Sequence, residues 1–262
     1  MYAVTGLGYG ALFVGRTPAL GRAARPLLLL SMAAHLVYMV WRSVEVHTLP
    51  LSTLSGALTT VSLSLAAVYL YLEIRQHTPM TGVFVVPVVA LLVLIGGLPF
   101  PGVKPPQELL KLLESPFFAV HMLSAVTAYC AFALAAVYGL LFLMLYHELK
   151  LGRLTLVYHR LPPLEQLKQM NIRSTLVGFV LLTAAIAIGA IWLSRLKPTY
   201  FADPKVISSF LVWVIFGVAI MAHYRWSQSS RAPVFLTLAG FAMLLLSTLV
   251  IGPLSSSFHQ FR

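Results

Sequence analysis

Hydrophobic residues in this chain gather into long runs separated by short polar stretches. The runs occupy roughly 26–42, 54–73, 82–99, 117–146, 173–194, 207–223 and 232–252. About 20 mostly apolar residues in a helix cross the hydrocarbon core of a bilayer. A helix also satisfies its backbone hydrogen bonds internally, as lipid demands. Each run is therefore predicted to be a membrane-spanning helix. Residues 2–16 form a shorter, glycine-rich run, predicted as a first helix with a poorly defined start. The expected fold is all-α, a polytopic transmembrane helical bundle of about eight spans, or seven if the first helix lies on the surface. No fixed-period repeat, low-complexity tract or soluble domain breaks the pattern, so residues 1–262 are expected to form a single transmembrane domain.

Composition agrees with this reading. Of the 262 residues, 59% are hydrophobic and 10% charged, against about 25% charged in soluble domains. The net charge is +11, which in a soluble protein would point to nucleic acid. Here the bases fall in short loops between apolar runs, so they speak of topology and anionic lipid, and no nucleic-acid partner is expected. The one cysteine, Cys130, lies within an apolar run. Without a CxxC pair the chain is not expected to be a thiol–disulfide enzyme. No cleavable signal peptide is expected at residues 2–15, which lack a preceding basic region and a following cleavage site.

The bases also orient the bundle. With both termini outside, the inner segments hold Arg16, Arg22, Arg25, Arg75, Lys150, Arg153, Arg160, Lys168, Arg173, Arg225 and Arg231, that is 11 of the 18 Lys and Arg. That excess favours this orientation by the positive-inside rule. The inner loop 147–172 contains Leu161-Pro162-Pro163-Leu164-Glu165, predicted as a stop followed by a short amphipathic helix on the inner surface.

Eight histidines carry the candidate chemistry. His77, His147 and His159 fall in inner loops or at helix ends, where a solvated or interfacial side chain is the ordinary reading. His35 lies well inside a span, in LLLLSMAAHLVYMVW, where a polar group needs a partner. A helix-to-helix hydrogen bond would satisfy it, and so would a metal. His223 ends the run VWVIFGVAIMAHYR near the inner face. His121 opens a span on the outer side, and His259 follows the last span on that side. Taken together, two imidazoles lie within the membrane or at its inner edge and two at its outer edge. Neutral imidazole is the usual protein ligand of heme iron, and two axial imidazoles complete its coordination. Acidic side chains are nearly absent from the spans, which argues against a calcium or magnesium pathway.

From these residues, in this order, the chain resembles the cytochrome c assembly family of heme-handling membrane proteins (CcsA-type and HemX-like). The stretch HLVYMVWRSVEVHTLPLSTL is similar to that family's early His-bearing helix and the outer His-x-Pro-Leu segment after it, which begins here at His47. SPFFAVHMLSAVTAYCAFALAAVYGLLFLM resembles its outer-edge His followed by a long helix. LPPLEQLKQMNIRSTLVGFVLLTAAIAIGAIWL resembles its inner Leu-Pro-x-Leu-Glu and a helix ending in Gly-x-Ile-Trp. An outer Asp-Pro-Lys, the late membrane His and a final outer His complete the likeness, which covers roughly residues 30–259.

The resemblance implies a ligand set. His35 and His223 would be the membrane ligands of heme b, and His121 and His259 the outer pair. Trp192, Tyr200 and Phe201 would pack on the porphyrin, beside Asp203 of the Asp-Pro-Lys piece, and Arg195, Lys197 and Lys205 would meet the propionates. It also implies heme as cargo, apocytochrome c and other cytochrome c maturation proteins as partners, and the bacterial cytoplasmic (inner) membrane as location. The chain would be at most a component of a cytochrome c heme lyase. The sequence departs from the family's Trp-rich outer loop. Segment 195–206 is short, reads Tyr200, Phe201 and Ala202 before Asp203, and has Val206 where an acid is expected. Three roles stay open: heme delivery for cytochrome c maturation, a HemX-like heme-binding regulator or scaffold of tetrapyrrole metabolism, and a transporter whose histidines are structural.

Overall fold

A computed structural model describes residues 1–15, 18–46, 54–98, 115–152, 156–193, 204–226 and 231–248. Every element among them is helical. In chain order they are α1 (Tyr2–Gly15), α2 (Pro18–Val46), α3 (Leu54–Gln76), α4 (Gly82–Gly96), α5 (Pro116–Lys150), α6 (Leu156–Arg160), α7 (Leu164–Leu193), α8 (Pro204–Arg225) and α9 (Ala232–Leu246). A 3₁₀ turn, Pro79–Thr81, joins α3 to α4.

Among the described residues, six segments are long and apolar enough to cross a membrane, and two shorter apolar helices, α1 and α9, accompany them. The chain is thus a multi-pass helical membrane protein. Its exposed side chains agree, since α2 alone turns Leu36, Val37, Val40 and Trp41 outward. Such apolar exposure suits lipid and would be a liability in water.

Local chemistry explains the helix boundaries. Pro18, Pro116 and Pro204 each open a helix, where the missing N–H has no intrahelical partner to lose. Two helices run further than their apolar stretches. Pro26 is absorbed inside α2, which begins at Pro18. The short surface helix expected after Pro163 is not separate, because α7 runs unbroken from Leu164 to Leu193. No proline or glycine occurs between Leu164 and Leu176 to stop it. Its first turns bury Leu167, Lys168, Met170 and Asn171, so they belong to the packed interior.

The chain divides into two compact units. Unit 1 comprises residues 1–102 and 140–170, and unit 2 comprises 103–139 and 171–262.

In unit 1, α1 packs on α2 and α4, and α3 packs on α2 and α4. The buried residues of α1 are Tyr2, Thr5, Tyr9 and Leu12. They recur at three- and four-residue steps and so share one face. Thr5 Oγ1 meets Ser31 Oγ at 2.9 Å and Leu27 O at 3.4 Å. At 14 residues, α1 is about 21 Å long, shorter than the hydrocarbon core.

Near one end of this unit lies Glu73, with a side chain 0% exposed. Tyr9 donates to its Oε2 at 2.5 Å, and Arg25 Nε donates to its Oε1 at 3.0 Å. Near the other end, Ser55 Oγ donates to Gly96 O, joining the start of α3 to the end of α4.

Unit 2 is built on stacked aromatics. Phe132 of α5 and Phe216 of α8 lie face to face, centroids 3.6 Å apart and planes 4° apart. Ala128, Leu182, Val212 and Leu244 surround them. A Cβ at Gly178 would stand 2.6 Å from the Phe132 ring, so only glycine lets α7 approach this closely. Asn171 Nδ2 donates to Ala135 O at 2.7 Å and to Thr237 Oγ1 at 2.9 Å, tying α7 to α5 and α9.

Candidate heme-ligand sites

His35 lies on α2 with 6% of its surface exposed. Its Nδ1 is 3.3 Å from the Tyr2 hydroxyl, and the two rings meet edge to face at 5.6 Å and 82°. Its Nε2 is buried and has no hydrogen-bond partner among the described residues. A buried polar atom without a partner is costly and calls for an explanation. Metal-ligating histidines usually have the other ring nitrogen held by a hydrogen bond, which fixes ring orientation. One nitrogen held and one vacant is the arrangement a heme ligand requires.

His121 sits in the second turn of α5, and its Nδ1 donates to Ala185 O on α7 at 2.8 Å. A carbonyl only accepts, so the hydrogen is on Nδ1. In the neutral ring Nε2 then keeps the lone pair. Gly189, one turn on from Ala185, leaves the room this ring needs, because a Cβ there would stand 3.0 Å from His121 Cε1. The Gly-x-Ile-Trp piece of the sequence therefore seats an imidazole.

His223 lies in the last turn of α8, its ring 5.2 Å from that of Tyr224 at 87°. Helix α8 passes its apolar run by two residues to reach Arg225, so His223 is helical. Lys205 lies at the opposite end of α8. Its Nζ donates to Ser247 O at 3.5 Å and to Ser247 Oγ and Thr248 Oγ1 at 3.4 Å, and stands 6.0 Å from the Tyr129 ring centroid. Lys205 thus bridges α8 to the end of α9. The 18 residues from Lys205 to His223 span about 27 Å of helix.

His121 belongs to the Lys205 end of unit 2, where α5 begins, α7 ends and α8 begins. His223 is at the other end. His35 belongs to unit 1 and His223 to unit 2. Trp192 lies on the last turn of α7, with its side chain outside the described residues. His47, Arg195, Lys197, Tyr200, Phe201, Asp203 and His259 also lie outside them. Among the described residues no group of three or more His, Cys, Asp or Glu side chains is placed to hold a metal ion.

Two residues of these sites escape a sequence reading. Tyr2 is 33 positions from His35, and no spacing rule links them. Gly189 is visible within its motif, but its purpose emerges only when α5 lies against α7.

The fold and these histidines define a class, multi-pass helical membrane proteins carrying imidazoles at membrane depth and at helix ends. Comparison with known proteins narrows it. Residues 51–259 match the model of the family described as cytochrome C assembly protein. The chain belongs to that family. It is 28% identical to protein HemX of Brevibacillus brevis over 271 residues, covering 99% of this chain and 94% of that protein. It is 24% identical to the cytochrome c biogenesis protein CcsA of Guillardia theta over 237 residues, covering 84% and 79%. Protein HemX of Bacillus subtilis (strain 168) is 27% identical over 150 residues, or 57% of this chain.

Proposed function

We propose that this protein handles heme in cytochrome c assembly, binding heme b inside the membrane and presenting it at the outer face for attachment to apocytochrome c. The observation that carries the reading is His35, whose buried Nε2 has no partner among the described residues while Tyr2 holds its Nδ1. His35 and His223 would hold heme within the bundle, and His121 and His259 would hold it at the outer edge. The Nδ1–H of His121, held by Ala185 O, supports ligation through Nε2. Tyr200, Phe201 and Trp192 would cover the porphyrin, Asp203 would sit beside them, and Lys205 would lie near the propionates. The outer position of His121 and the inner position of His223 rest on the distribution of basic residues, with both termini outside and the bacterial cytoplasmic membrane as host. Heme brings the reactive vinyl groups, and a partner with reduced CxxCH thiols completes the thioether. This chain binds, orients and excludes water.

A second reading, a heme-binding regulator or scaffold without transfer, draws on the outer loop. Segment 195–206 lacks a tryptophan, and the chain covers 94% of the B. brevis HemX.

Absorption spectroscopy of the protein purified in mild detergent tests the heme reading. A bis-imidazole spectrum is expected, and it should fade in His35→Ala and His223→Ala. Absence of any heme spectrum after reconstitution with heme b, or full retention in both variants, would overturn it. A deletion strain then separates the two roles. Loss of covalent c-type cytochromes supports delivery, whereas normal cytochromes with altered heme levels support the regulator.

A further inference from the structure

Unit 1 also carries a second polar site, far along the chain from His35. Helix α3 closes at His77, which takes φ 55 and donates its N–H to Glu73 O at 2.9 Å. The left-handed turn ends the helix and lets Pro79–Thr81 reverse the chain into α4. Against this turn lies the Arg160–Leu161–Pro162 segment that precedes α7, pinned by Gln166 Nε2 donating to Gln76 O at 2.9 Å. Between them is a pocket of about 240 Å³ lined by His77, Thr78, Met80, Arg160 and Gln166. It lies where three spanning segments end or begin, at Gln76, Pro79 and Leu164, a position suited to the membrane interface.

Two buried side-chain donors at this turn lack acceptors among the described residues. Arg160 Nη1 is buried and meets no acceptor among the described residues, and Gln76 Nε2 beside the turn is in the same state. No ion pair involves Arg160 among the described residues. Glu73 is already bonded by Tyr9 and Arg25, and Glu165 is exposed and bonded by Gln169. A guanidinium partly withdrawn from water without an acceptor lacks the compensation such burial needs. An anion would supply it, and arginine favours phosphate through paired N–H bonds.

Leu161 and Pro162 also form a wall of an adjoining groove of about 420 Å³, lined further by Leu145, Leu149, Tyr158 and Leu164. Tyr158 and His159 add polar groups to this otherwise apolar lining. A pocket bordered by the Arg160 guanidinium and a groove lined mainly by leucine and proline, sharing the Leu161–Pro162 wall, match a molecule with an anionic head and a hydrocarbon tail. Basic pockets between spanning helices are a known setting for anionic headgroups.

We propose that this pair of cavities binds one anionic phospholipid, its phosphate on Arg160 and one acyl chain along Leu145 and Leu149. The site is independent of the heme reading.

Thermal unfolding of the full chain in mild detergent tests it, with added phosphatidylglycerol, phosphatidylcholine or inorganic phosphate. Phosphatidylglycerol should raise Tm and the other two should not. Arg160→Gln should lose more than half of the shift. Leu149→Glu places a carboxylate at a position already 42% exposed, so the fold should survive and the shift should again fall. Native mass spectrometry should find a phosphatidylglycerol adduct on the wild-type chain and little on either variant. Equal shifts from both lipids, or a shift unchanged in both variants, would overturn the site. A shift from inorganic phosphate as large as that from lipid would overturn the lipid in favour of a free anion.

Discussion

Near one end of unit 1, a carboxylate on α3 is held by a phenol on α1 and a guanidinium on α2. At the heart of unit 2, two phenylalanines stack 3.6 Å apart against a glycine, and a single amide joins three helices. In lipid, apolar surfaces gain little from leaving the solvent, so helices associate through close packing and polar contacts. The Phe132–Phe216 stack is an instance of the first and the Glu73 cluster of the second. The polar option is directional and intolerant of a lost partner. The packed option tolerates chemistry but not volume.

The largest effect is expected at Glu73. Glu73→Ala strands the Arg25 guanidinium and the Tyr9 hydroxyl. Removing one partner of a buried pair costs about 3–5 kcal/mol, and because Arg25 is 38% exposed the loss should fall near the lower end, about 3 kcal/mol. Denaturation in mixed micelles would measure it. Glu73→Gln should recover part of the loss by keeping the hydrogen-bond acceptor.

Gly178→Ala comes next. A methyl 2.6 Å from the Phe132 ring should overpack unit 2 and cost about 1–3 kcal/mol. Gly178→Ala with Phe132→Leu should restore most of it, which a purely backbone effect of the glycine would not allow.

Asn171→Leu removes two hydrogen bonds at 2.7 and 2.9 Å and should cost about 1 kcal/mol, in line with interhelical bonds in lipid. An unchanged midpoint would mean that packing carries unit 2 without its amide.

The smallest stability effect is expected for Tyr2→Phe, about 0.5 kcal/mol given a 3.3 Å bond. Its value lies in another readout. If Tyr2 orients His35, the variant should keep its fold and shift the heme absorption bands or reduction potential. Identical spectra would leave Tyr2 with a packing role only.

The histidines show how far a one-dimensional reading reaches. His35, buried mid-helix in an apolar run, was legible because a lone imidazole among leucines and valines must have a partner. His121 and His223 were legible as helix-end residues of two different spans. Their surroundings were not. The Tyr2 hydroxyl, the Ala185 carbonyl and the missing Cβ of Gly189 come from helices distant in the chain, and no period of 3.6 connects one helix to another. Glu73 left only a faint trace, a carboxylate at the end of an apolar run with Arg25 at the head of another.

The amino-acid sequence by itself determined the solvent, the all-helical class and the family. Those depend on hydrophobic length and on ordered motifs, which are properties of each segment alone. The tertiary structure decided that α1 is packed into unit 1 on one face, that the turns after Pro163 continue into α7, and which nitrogen of His35 is left vacant. These depend on which faces of which helices meet, a matter of packing and polar pairing in three dimensions that no single segment encodes.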